Sequence, residues 1–583
     1  MKVLSLNKYK LKPLTVATLL ALGAPHMASA EEATFDTEQQ DKTEVISIIG
    51  SRVAGRTELD SAVPVDVFSE EDLKNQSFTD TNDALRTLVP SFQIKRFDNN
   101  DGSSFVRPPT LRGLSPDQTL VLVNGKRRHR SALVVLDGSA TTVGAQAVDL
   151  SKIPMSAIKR VEVLRDGAAA QYGSDAIAGV IQFVLKDADE GGTISVQAGQ
   201  FYEGDGEDFN LEGNIGLPLT DNGFINLTAS YSDSGKTSRG VVYPAAEYYR
   251  EVVGLEDVPT PAMNWGNPET SSLATFVNAG ITLDNDVELY AFGNYGAAES
   301  KVGFYYRRPE AIGTDENGVG LADGYSYGQT SVFNESIYAG TDVHPEAWDL
   351  RDIYPGGFTP EFSGDLTDIS LVLGAKGLFK NEITWDISSR WAKNELEYHL
   401  ENSINPTLGV NSPTSFDPGA LTQEEFGINA DFTYELEVSG LENAIYLAAG
   451  AEYREETYII TEGDEASWKI GPLSDLSAGA SGFPGYTPMA AGKNSKDNIA
   501  LYIDVETNLT DQLLIGLATR YEDYSDFGSK TTGKVSLRYD LTDNLAFRGA
   551  LSTGFRAPTA GQLYTTNIRI GLAPVTNDPI AKG

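Results

Sequence analysis

Apolar and polar residues alternate with a period of two along most of the chain after residue 191. At residues 225–231, for example, Ile225, Leu227 and Tyr231 alternate with small polar residues. The same alternation recurs at residues 383–391, 499–505 and 535–541. It is typical of strands with one apolar and one polar face. A soluble β-sandwich would show it too, but these stretches have the lengths that cross a bilayer at a tilt, so they predict a transmembrane antiparallel β-barrel.

The alternating stretches are connected by segments of two different lengths. Tight turns with closely similar sequences occupy residues 219–222, 283–286, 509–512 and 541–544. Long irregular segments occupy residues 232–272, 301–364 and 461–495. Short turns on one rim and long loops on the other are typical of outer-membrane barrels, whereas such loops would be unusual in a compact soluble domain.

Residues 57–190 show a different pattern, with a helix and short strands. A helix is expected at residues 79–89, ahead of Pro90, which cannot continue it. The Asn124-Gly125 pair predicts a β-hairpin whose first strand, apolar throughout, is central. Short strands are expected at residues 120–123, 159–164 and 180–185. The pattern predicts a small α/β domain ahead of the barrel.

The N-terminus and the composition narrow the function further. Residues 1–30 combine four lysines, an apolar stretch and an Ala-Ser-Ala sequence, which predicts a secretory signal peptide too short to span a membrane. The chain has no cysteine, and its net charge of −37 argues against nucleic acid as a partner. Its histidines are scattered at residues 26, 129, 344 and 399. We therefore expect no enzyme active site, no metal site and no cofactor.

Two long blocks, residues 111–129 and 153–186, resemble the TonB-dependent outer-membrane receptors. The sequences RYEDYSDF at 520–527 and GFRAPTAGQLY at 554–564 resemble barrel sequences of the same family. The resemblance implies a mainly β fold, a barrel of about 22 strands with the α/β domain as a plug inside its lumen. It also implies a location in the cell outer membrane, with lipid around the barrel and the plug facing the periplasm.

Such receptors import scarce nutrients by active transport. The partner that supplies the energy is TonB with its inner-membrane energising complex. The ligand that we expect is a ferric siderophore, with cobalamin, an oligosaccharide or a peptide as alternatives. A passive gated porin is the alternative from another class, and a surface protein for adhesion or phage binding is a third.

A short segment near the N-terminus resembles the TonB box, which the partner grips by β-augmentation. Its residues are Glu44, Val45, Ile46, Ser47, Ile48 and Ile49. An isolated β-prone segment near a chain terminus is unusual unless a partner uses it. The alternative is that residues 45–49 form the first strand of the plug.

Two arginines, Arg112 and Arg160, match the plug arginines that pair with glutamates on the inner wall of such barrels. Glu452 and Glu522 are candidate partners, because each lies on the polar face of a predicted strand. Ion pairs of this kind are weak net stabilisers but costly to leave half made, which suits a latch that must later break. The alternative for either glutamate is an ordinary charge in the lumen.

Ligand contacts are expected from the long loops and from the tips of the plug. Tyr305 and Tyr306 precede Arg307 and Arg308 directly, and such a group can stack on and pair with an anionic aromatic ligand. The alternative for these residues is an aromatic girdle at the end of a strand, at the lipid interface.

The chain divides into four predicted regions. They are a signal peptide at 1–30, a periplasmic linker with the TonB box at 31–56, a plug at 57–190 and a barrel at 191–583. The last region has room for only about fourteen strands. It also ends without the aromatic strand that such barrels normally show. We therefore expect this barrel sequence to be incomplete and, on its own, unable to close.

Overall fold

A computed structural model describes ten segments of the chain. They are residues 49–50, 61–76, 78, 80–94, 102–136, 142–308, 353–439, 443–472, 478–542 and 544–565. The signal peptide and most of the linker predicted above lie outside these residues. No helix within the described residues is long and apolar enough to cross a membrane.

The first part of the described chain is an α/β domain. Its strands are β1 (Val65–Ser69), β2 (Phe92–Ile94), β3 (Pro109–Leu111), β4 (Thr119–Val123), β5 (Lys126–Arg127), β6 (Ile158–Leu164) and β7 (Gly179–Leu185). Its helices are α1 (Glu70–Lys74), α2 (Thr81–Leu88) and α3 (Ala169–Tyr172), with 3-10 turns at Pro116–Gln118 and Met155–Ala157. Five of the strands form one sheet in the order β1, β6, β7, β4, β5, while β2 pairs with β3. Of the neighbours in these sheets, only β4 and β7 are parallel.

The helix and the hairpin predicted for this domain are confirmed. Helix α2 begins after Asp80, whose carboxylate accepts a hydrogen bond from the backbone N–H of Asn82 at 2.7 Å. Asn124 and Gly125 have positive φ values of 46° and 77°, as a two-residue hairpin between β4 and β5 requires. All five residues of β4 are buried, and the strand lies between β7 and β5 as expected.

Gly179, at the start of β7, lies where the backbone of β6 leaves no room for a side chain. A Cβ there would lie 2.2 Å from the carbonyl oxygen of Leu164 and 2.7 Å from a methyl group of Leu111. We expect Gly179→Ala to lower the free energy of unfolding by about 1–3 kcal/mol, because the strands must move apart. Urea unfolding of the purified protein in detergent measures this. Gly549→Ala, with open space around its Cβ, is the matched control, and an equal effect of both substitutions would contradict the prediction.

The rest of the described chain forms a long antiparallel sheet. Its strands are β8 (Gly192–Gly199), β9 (Asp208–Thr220), β10 (Gly223–Ser234), β11 (Glu269–Thr282), β12 (Glu288–Gly303), β13 (Glu361–Leu378), β14 (Thr384–Glu401), β15 (Phe416–Leu436), β16 (Ile445–Thr461), β17 (Gly492–Thr510), β18 (Leu513–Tyr524), β19 (Gly528–Thr542) and β20 (Leu545–Ser552). Short helices α4 (Pro244–Glu247), α5 (Glu465–Trp468) and α6 (Ala560–Tyr564) lie in the connections and after β20, together with a π-helix at Tyr248–Val253 and a 3-10 turn at Pro406–Asn411.

Each strand of the long sheet pairs with the next one in the chain. The described residues give thirteen strands, with β8 and β20 at the two ends of the order. The four predicted tight turns join β9 to β10, β11 to β12, β17 to β18 and β19 to β20, and the predicted long loops lie at the opposite ends of the strands. The alternation of the sequence therefore predicted this sheet correctly, while the count of about 22 strands stays a prediction.

The outer face of the long sheet divides into an apolar part and a charged part. Trp391 and Phe426 are directly opposite each other on β14 and β15 and point outward, 44% and 37% exposed. From there toward the tight turns the outward residues include Ile387 and Ile428, whereas toward the loops they become Lys393 and Glu424. Aromatic residues at such a change of polarity mark the interface of a membrane with water.

The α/β domain packs against the inner face of this sheet. Its apolar core includes Leu85, Val121 and Phe183, and continues onto Phe276 and Phe292 of the long sheet. A second apolar cluster, around residues 132–135 of the α/β domain, also spans both parts. The polar contacts between the two parts form the candidate site.

Candidate functional site

A basic segment, residues 126–130, extends from the hairpin of the α/β domain to the inner face of the long sheet. Lys126 lies 3.0 Å from Asp386 and 3.3 Å from Asp431, measured from Nζ to the carboxylate oxygens. Arg128 and His129 both contact Asp368, at 2.6 Å and 2.7 Å. The Asn-Gly turn positions this segment, because it reverses the chain at the end of the buried strand β4.

Asp175, which follows α3, is the centre of the charged cluster. Its carboxylate lies 2.5 Å from Arg127 and from Arg130, and 3.8 Å from Arg454 and Arg556. Burial alone would raise the pKa of Asp175, but the surrounding arginines, Arg130 first, hold it well below its usual range. This carboxylate therefore ties two arginines of its own domain to two arginines outside it.

The cluster continues along the wall of the long sheet. Arg130 contacts Glu456 at 2.5 Å, and although burial lowers the pKa of Arg130, Asp175 and Glu456 raise it above its usual value. Glu452 lies 2.6 Å from Arg520 and 3.3 Å from Arg390. Buried charges are costly unless they are paired, so these groups act as one unit.

The four predicted latch residues are not all paired as expected. Glu452 lies within this cluster, with Arg127 of the α/β domain at 3.9 Å, and Glu522 contacts Arg520 at 3.1 Å. The expected partners of these glutamates, Arg112 and Arg160, form their described contacts inside the α/β domain.

Local geometry explains these contacts of Arg112 and Arg160, while their role in a latch stays a prediction. Arg160 binds Glu162 at 2.8 Å, because residues two apart in a strand share one face. Arg112 lies in a turn, with φ 57°, and its guanidinium donates to the carbonyl of Ala178 at 3.4 Å. The residues that sequence reasoning missed are those of the basic segment. The available signal was a run of five basic residues directly after an Asn-Gly turn in an acidic chain.

The predicted ligand residues lie together in the loop after β12, but they differ in accessibility. Tyr305 is 46% exposed and meets Trp265 edge to face, with ring centroids 5.6 Å apart. Tyr306 is 5% exposed, and its hydroxyl donates to the carbonyl of Gly356 at 2.5 Å. Burial raises the pKa of Tyr306, as expected for a phenol in an apolar cluster. Tyr306 is therefore a packing residue of the loop.

Each of the two arginines of this group donates a hydrogen bond to a hydroxyl group. Arg307 donates from Nε to the hydroxyl of Ser481 at 3.2 Å, and burial lowers its pKa to about 10. Arg308 donates to the hydroxyl of Tyr243 at 3.4 Å. On β12 the outward residues are already charged at Glu299 and Lys301, before this group begins. Residues 305–308 follow these charged residues, so they lie farther from the apolar part of the outer face. This position does not favour the alternative of an aromatic girdle at the lipid interface.

The predicted TonB box lies almost entirely outside the described residues. Only Ile49, its last residue, is described, and its side chain is 4% exposed. It packs in an apolar cluster with Val63, Val65 and Leu164 of the α/β domain. The role of residues 44–49 as a box stays a prediction. Among the described residues, no group of three or more His, Asp or Glu side chains is arranged to hold a metal ion.

The sequence matches two family descriptions, one in each part of the chain. Residues 57–180 match the TonB-dependent Receptor Plug Domain, and residues 347–579 match the TonB dependent receptor-like, beta-barrel family. The chain belongs to the TonB-dependent receptor family. The α/β domain is its plug and the long sheet belongs to its β-barrel, which implies a location in the outer membrane. The family is one of receptors and transporters.

Several characterised proteins are similar to this chain. The ferric enterobactin receptor PirA of Pseudomonas aeruginosa is 24% identical over 93% of the chain and 65% of its own length. The ferrienterobactin receptor of Escherichia coli is 25% identical over 61% of the chain and 48% of its own length. The chain thus spans less than two thirds of either relative. The crystal structure of the siderophore receptor PirA from Acinetobacter baumannii matches with a TM-score of 0.55, at 18% identity, over 85% of the chain and 61% of that protein, a likeness of fold alone.

Proposed function

We propose that this protein imports a ferric siderophore across the outer membrane, using energy delivered by TonB. The observation that carries the proposal is the buried ionic interface between plug and wall, centred on Asp175. Breaking such pairs leaves buried charges without partners, so moving the plug carries a large free-energy cost. A passive porin does not need a plug held by buried ion pairs. A transporter whose plug is moved by an external protein does need one, because the plug must stay in place until it is pulled. The names of the relatives favour a ferric siderophore over cobalamin, an oligosaccharide or a peptide.

The proposal is tested by uptake of iron from ferric enterobactin into cells that depend on this receptor. Uptake is expected to stop when a protonophore collapses the proton gradient, because TonB then delivers no work. Uptake that continues under the protonophore would support a porin instead. Uptake of cobalamin with no uptake of ferric enterobactin would leave the mechanism in place and contradict the proposed substrate.

Arg307 is the residue most suited to meet an anionic ligand in the loops. It sits between Tyr305 and Ser481, and within the described residues no carboxylate forms an ion pair with it. We expect Arg307→Ala to weaken binding of ferric enterobactin about 10- to 100-fold, the range of a charge-assisted hydrogen bond. Fluorescence titration of the purified receptor measures the dissociation constant. Arg239→Ala is the matched control, because Arg239 lies in another loop and is already paired with Asp205. Equal affinities of Arg307→Ala and the parent would contradict a ligand role for this loop.

A further inference from the structure

The chain that follows β20 turns away from the long sheet and packs against the plug. Strand β20 has 8 residues and its neighbour β19 has 15, so the chain leaves the sheet well before the loop end of β19. The last contact with the sheet is made by Thr553, whose backbone N–H donates to the carbonyl of Gly533 at 2.9 Å. Ala560, farther along, is 0% exposed. We name residues 554–564, the sequence GFRAPTAGQLY, the strap.

The base of the strap is anchored to the barrel wall. The ring of Phe555 lies 5.3 Å from that of Phe527 and 6.2 Å from that of Tyr524, measured between centroids. Lys496 of β17 lies over these two wall rings, 5.8 Å and 5.5 Å from their centroids, and donates to the carbonyl of Pro558 in the strap. Ring contacts and a cation over aromatic faces are both stabilising. The strap is therefore fixed at its base to the sequence RYEDYSDF of the wall.

The rest of the strap forms hydrogen bonds with the plug. Arg556 donates from Nε to the carbonyl of Asp117 at 2.7 Å, and its guanidinium lies 3.1 Å from the carboxylate of the same residue. Gln562 donates from Nε2 to this carboxylate at 2.8 Å and accepts from Arg556 at 2.9 Å. Thr559 donates to the side-chain oxygen of Gln146 at 2.5 Å. Asp117 is buried, so its carboxylate depends on these partners from the wall.

The position of Asp117 shows what the strap holds. Asp117 lies in the turn Pro116–Gln118, directly before the buried central strand β4. The basic segment 126–130, which follows β4, is held by carboxylates of the wall. The wall therefore holds the plug on both sides of β4. At the strap the arginine belongs to the barrel and the carboxylate to the plug, which is the reverse of the predicted latch.

We propose that the strap is a latch that holds the plug at Asp117 and releases it before the plug moves, with Arg556 and Gln562 as positioning residues. The inference rests on the proposed TonB-driven function, since it assigns one step of the movement of the plug. A pull on the plug draws the turn before β4 away from the strap. The strap stays with the wall, because Phe555 and Lys496 hold its base there.

The resting state of the strap is tested without transport. The chain has no cysteine, so Ala560→Cys supplies a single thiol at a buried position of the strap. Its rate of reaction with a bulky maleimide is measured in isolated outer membranes that contain neither TonB nor siderophore. We expect Arg556→Ala to accelerate the reaction about tenfold and Gln562→Ala about threefold, because the first removes a charged donor and the second a neutral one.

Arg548→Ala is the matched control for this assay. Arg548 lies on β20, ahead of the strap, and is exposed. Its rate should equal that of the parent. Gln562→Ala keeps the pair of Arg556 and Asp117, so it decides the question even if Arg556→Ala does not fold. Equal rates for Gln562→Ala and the parent would overturn the proposal, and so would acceleration by Arg548→Ala.

The release of the strap is tested by a reversible cross-link. A Cβ at Gly554 would lie 3.8 Å from the Cβ of Ile177 in the plug, a separation typical of a disulfide. We expect oxidation of the variant with Gly554→Cys and Ile177→Cys to reduce uptake of iron from ferric enterobactin to the level of cells without the receptor. Reduction of the disulfide should restore uptake. A strap that only packs against the plug stays in place during transport, so the cross-link would then leave uptake unchanged.

A disulfide within the wall is the matched control for the cross-link. A Cβ at Gly516 on β18 would lie 4.0 Å from the Cβ of Ser536 on β19, so Gly516→Cys with Ser536→Cys joins two neighbouring strands and not the plug. Its uptake should equal that of the parent after oxidation. Uptake that is stopped by the protonophore but unaffected by the cross-link of residues 177 and 554 would overturn the latch and leave the proposed function in place. Uptake that continues under the protonophore would contradict the proposed function, whereas the thiol assay would still report the resting state of the strap.

Discussion

Deletion of residues 44–48 is expected to reduce siderophore uptake to the level of cells without the receptor, while the protein still inserts in the outer membrane. The deletion removes the strand that TonB would add to its own sheet, so no pull reaches the plug. It spares Ile49, which belongs to the packed plug. The deletion leaves in place every residue of the described strands and of the described ion pairs at the interface, so folding should be unaffected. Uptake of iron from ferric enterobactin and the amount of receptor in isolated outer membranes are the two measurements.

Deletion of residues 33–37 is the matched control for this experiment. It shortens the predicted linker by the same number of residues and leaves the box intact. Its uptake should match the parent. Uptake that persists without residues 44–48 would show that the box has been assigned to the wrong segment or that transport does not use it. Loss of uptake in both deletion variants would mean that transport depends on the length of the linker and not on the box.

Asp175→Asn is expected to cause a large loss of stability. It keeps the size of the side chain but removes the charge that faces Arg127 and Arg130, both 2.5 Å away. Breaking a buried ion pair by removing one partner costs about 3–5 kcal/mol. The free energy of unfolding, from urea titration in detergent, should fall by an amount in this range.

Asp187→Asn is the control for this substitution. Asp187 also pairs with a cation of the plug, Lys159, but its side chain is 51% exposed and the separation is 3.2 Å. Exposed pairs contribute about 0–1 kcal/mol, so its stability should differ little from that of the parent. A similar small change for Asp175→Asn would mean that the cluster is not a structural unit.

The alternation of apolar and polar residues was enough to predict the long sheet, because it reflects a local requirement. Each strand must present one face to lipid, and a one-residue shift would place every side chain on the wrong face. The tight turns were predictable for the same reason, since the residues that form them are adjacent in sequence. The helix after Asp80 and the hairpin at Asn124 depend on equally local chemistry.

The pairing of charges inside the lumen was not predictable in this way. Arg128 and Asp368 are 240 positions apart in sequence, and Arg130 and Glu456 are 326 apart. Any of several arginines could reach a given wall glutamate, and only the register of the strands decides which one does. The alternation of apolar and polar residues also does not distinguish the accessibility of Tyr305 from that of Tyr306, although Tyr305 is exposed and Tyr306 is buried in the loop.

Strands β12 to β17 of the long sheet are longer than a membrane requires, and under the proposed function their length sets the distance over which a ligand travels. Strand β15 has 21 residues, about 70 Å at about 3.3 Å per residue. At a tilt of about 40° it rises about 50 Å, roughly twice the height of the apolar band of such barrels. Because the outward residues near the tight turns are the apolar ones, the surplus of about 25 Å stands on the loop side. Under the proposed function, a ligand would first be met well above the lipid headgroups and would descend a passage about twice as deep as the apolar band.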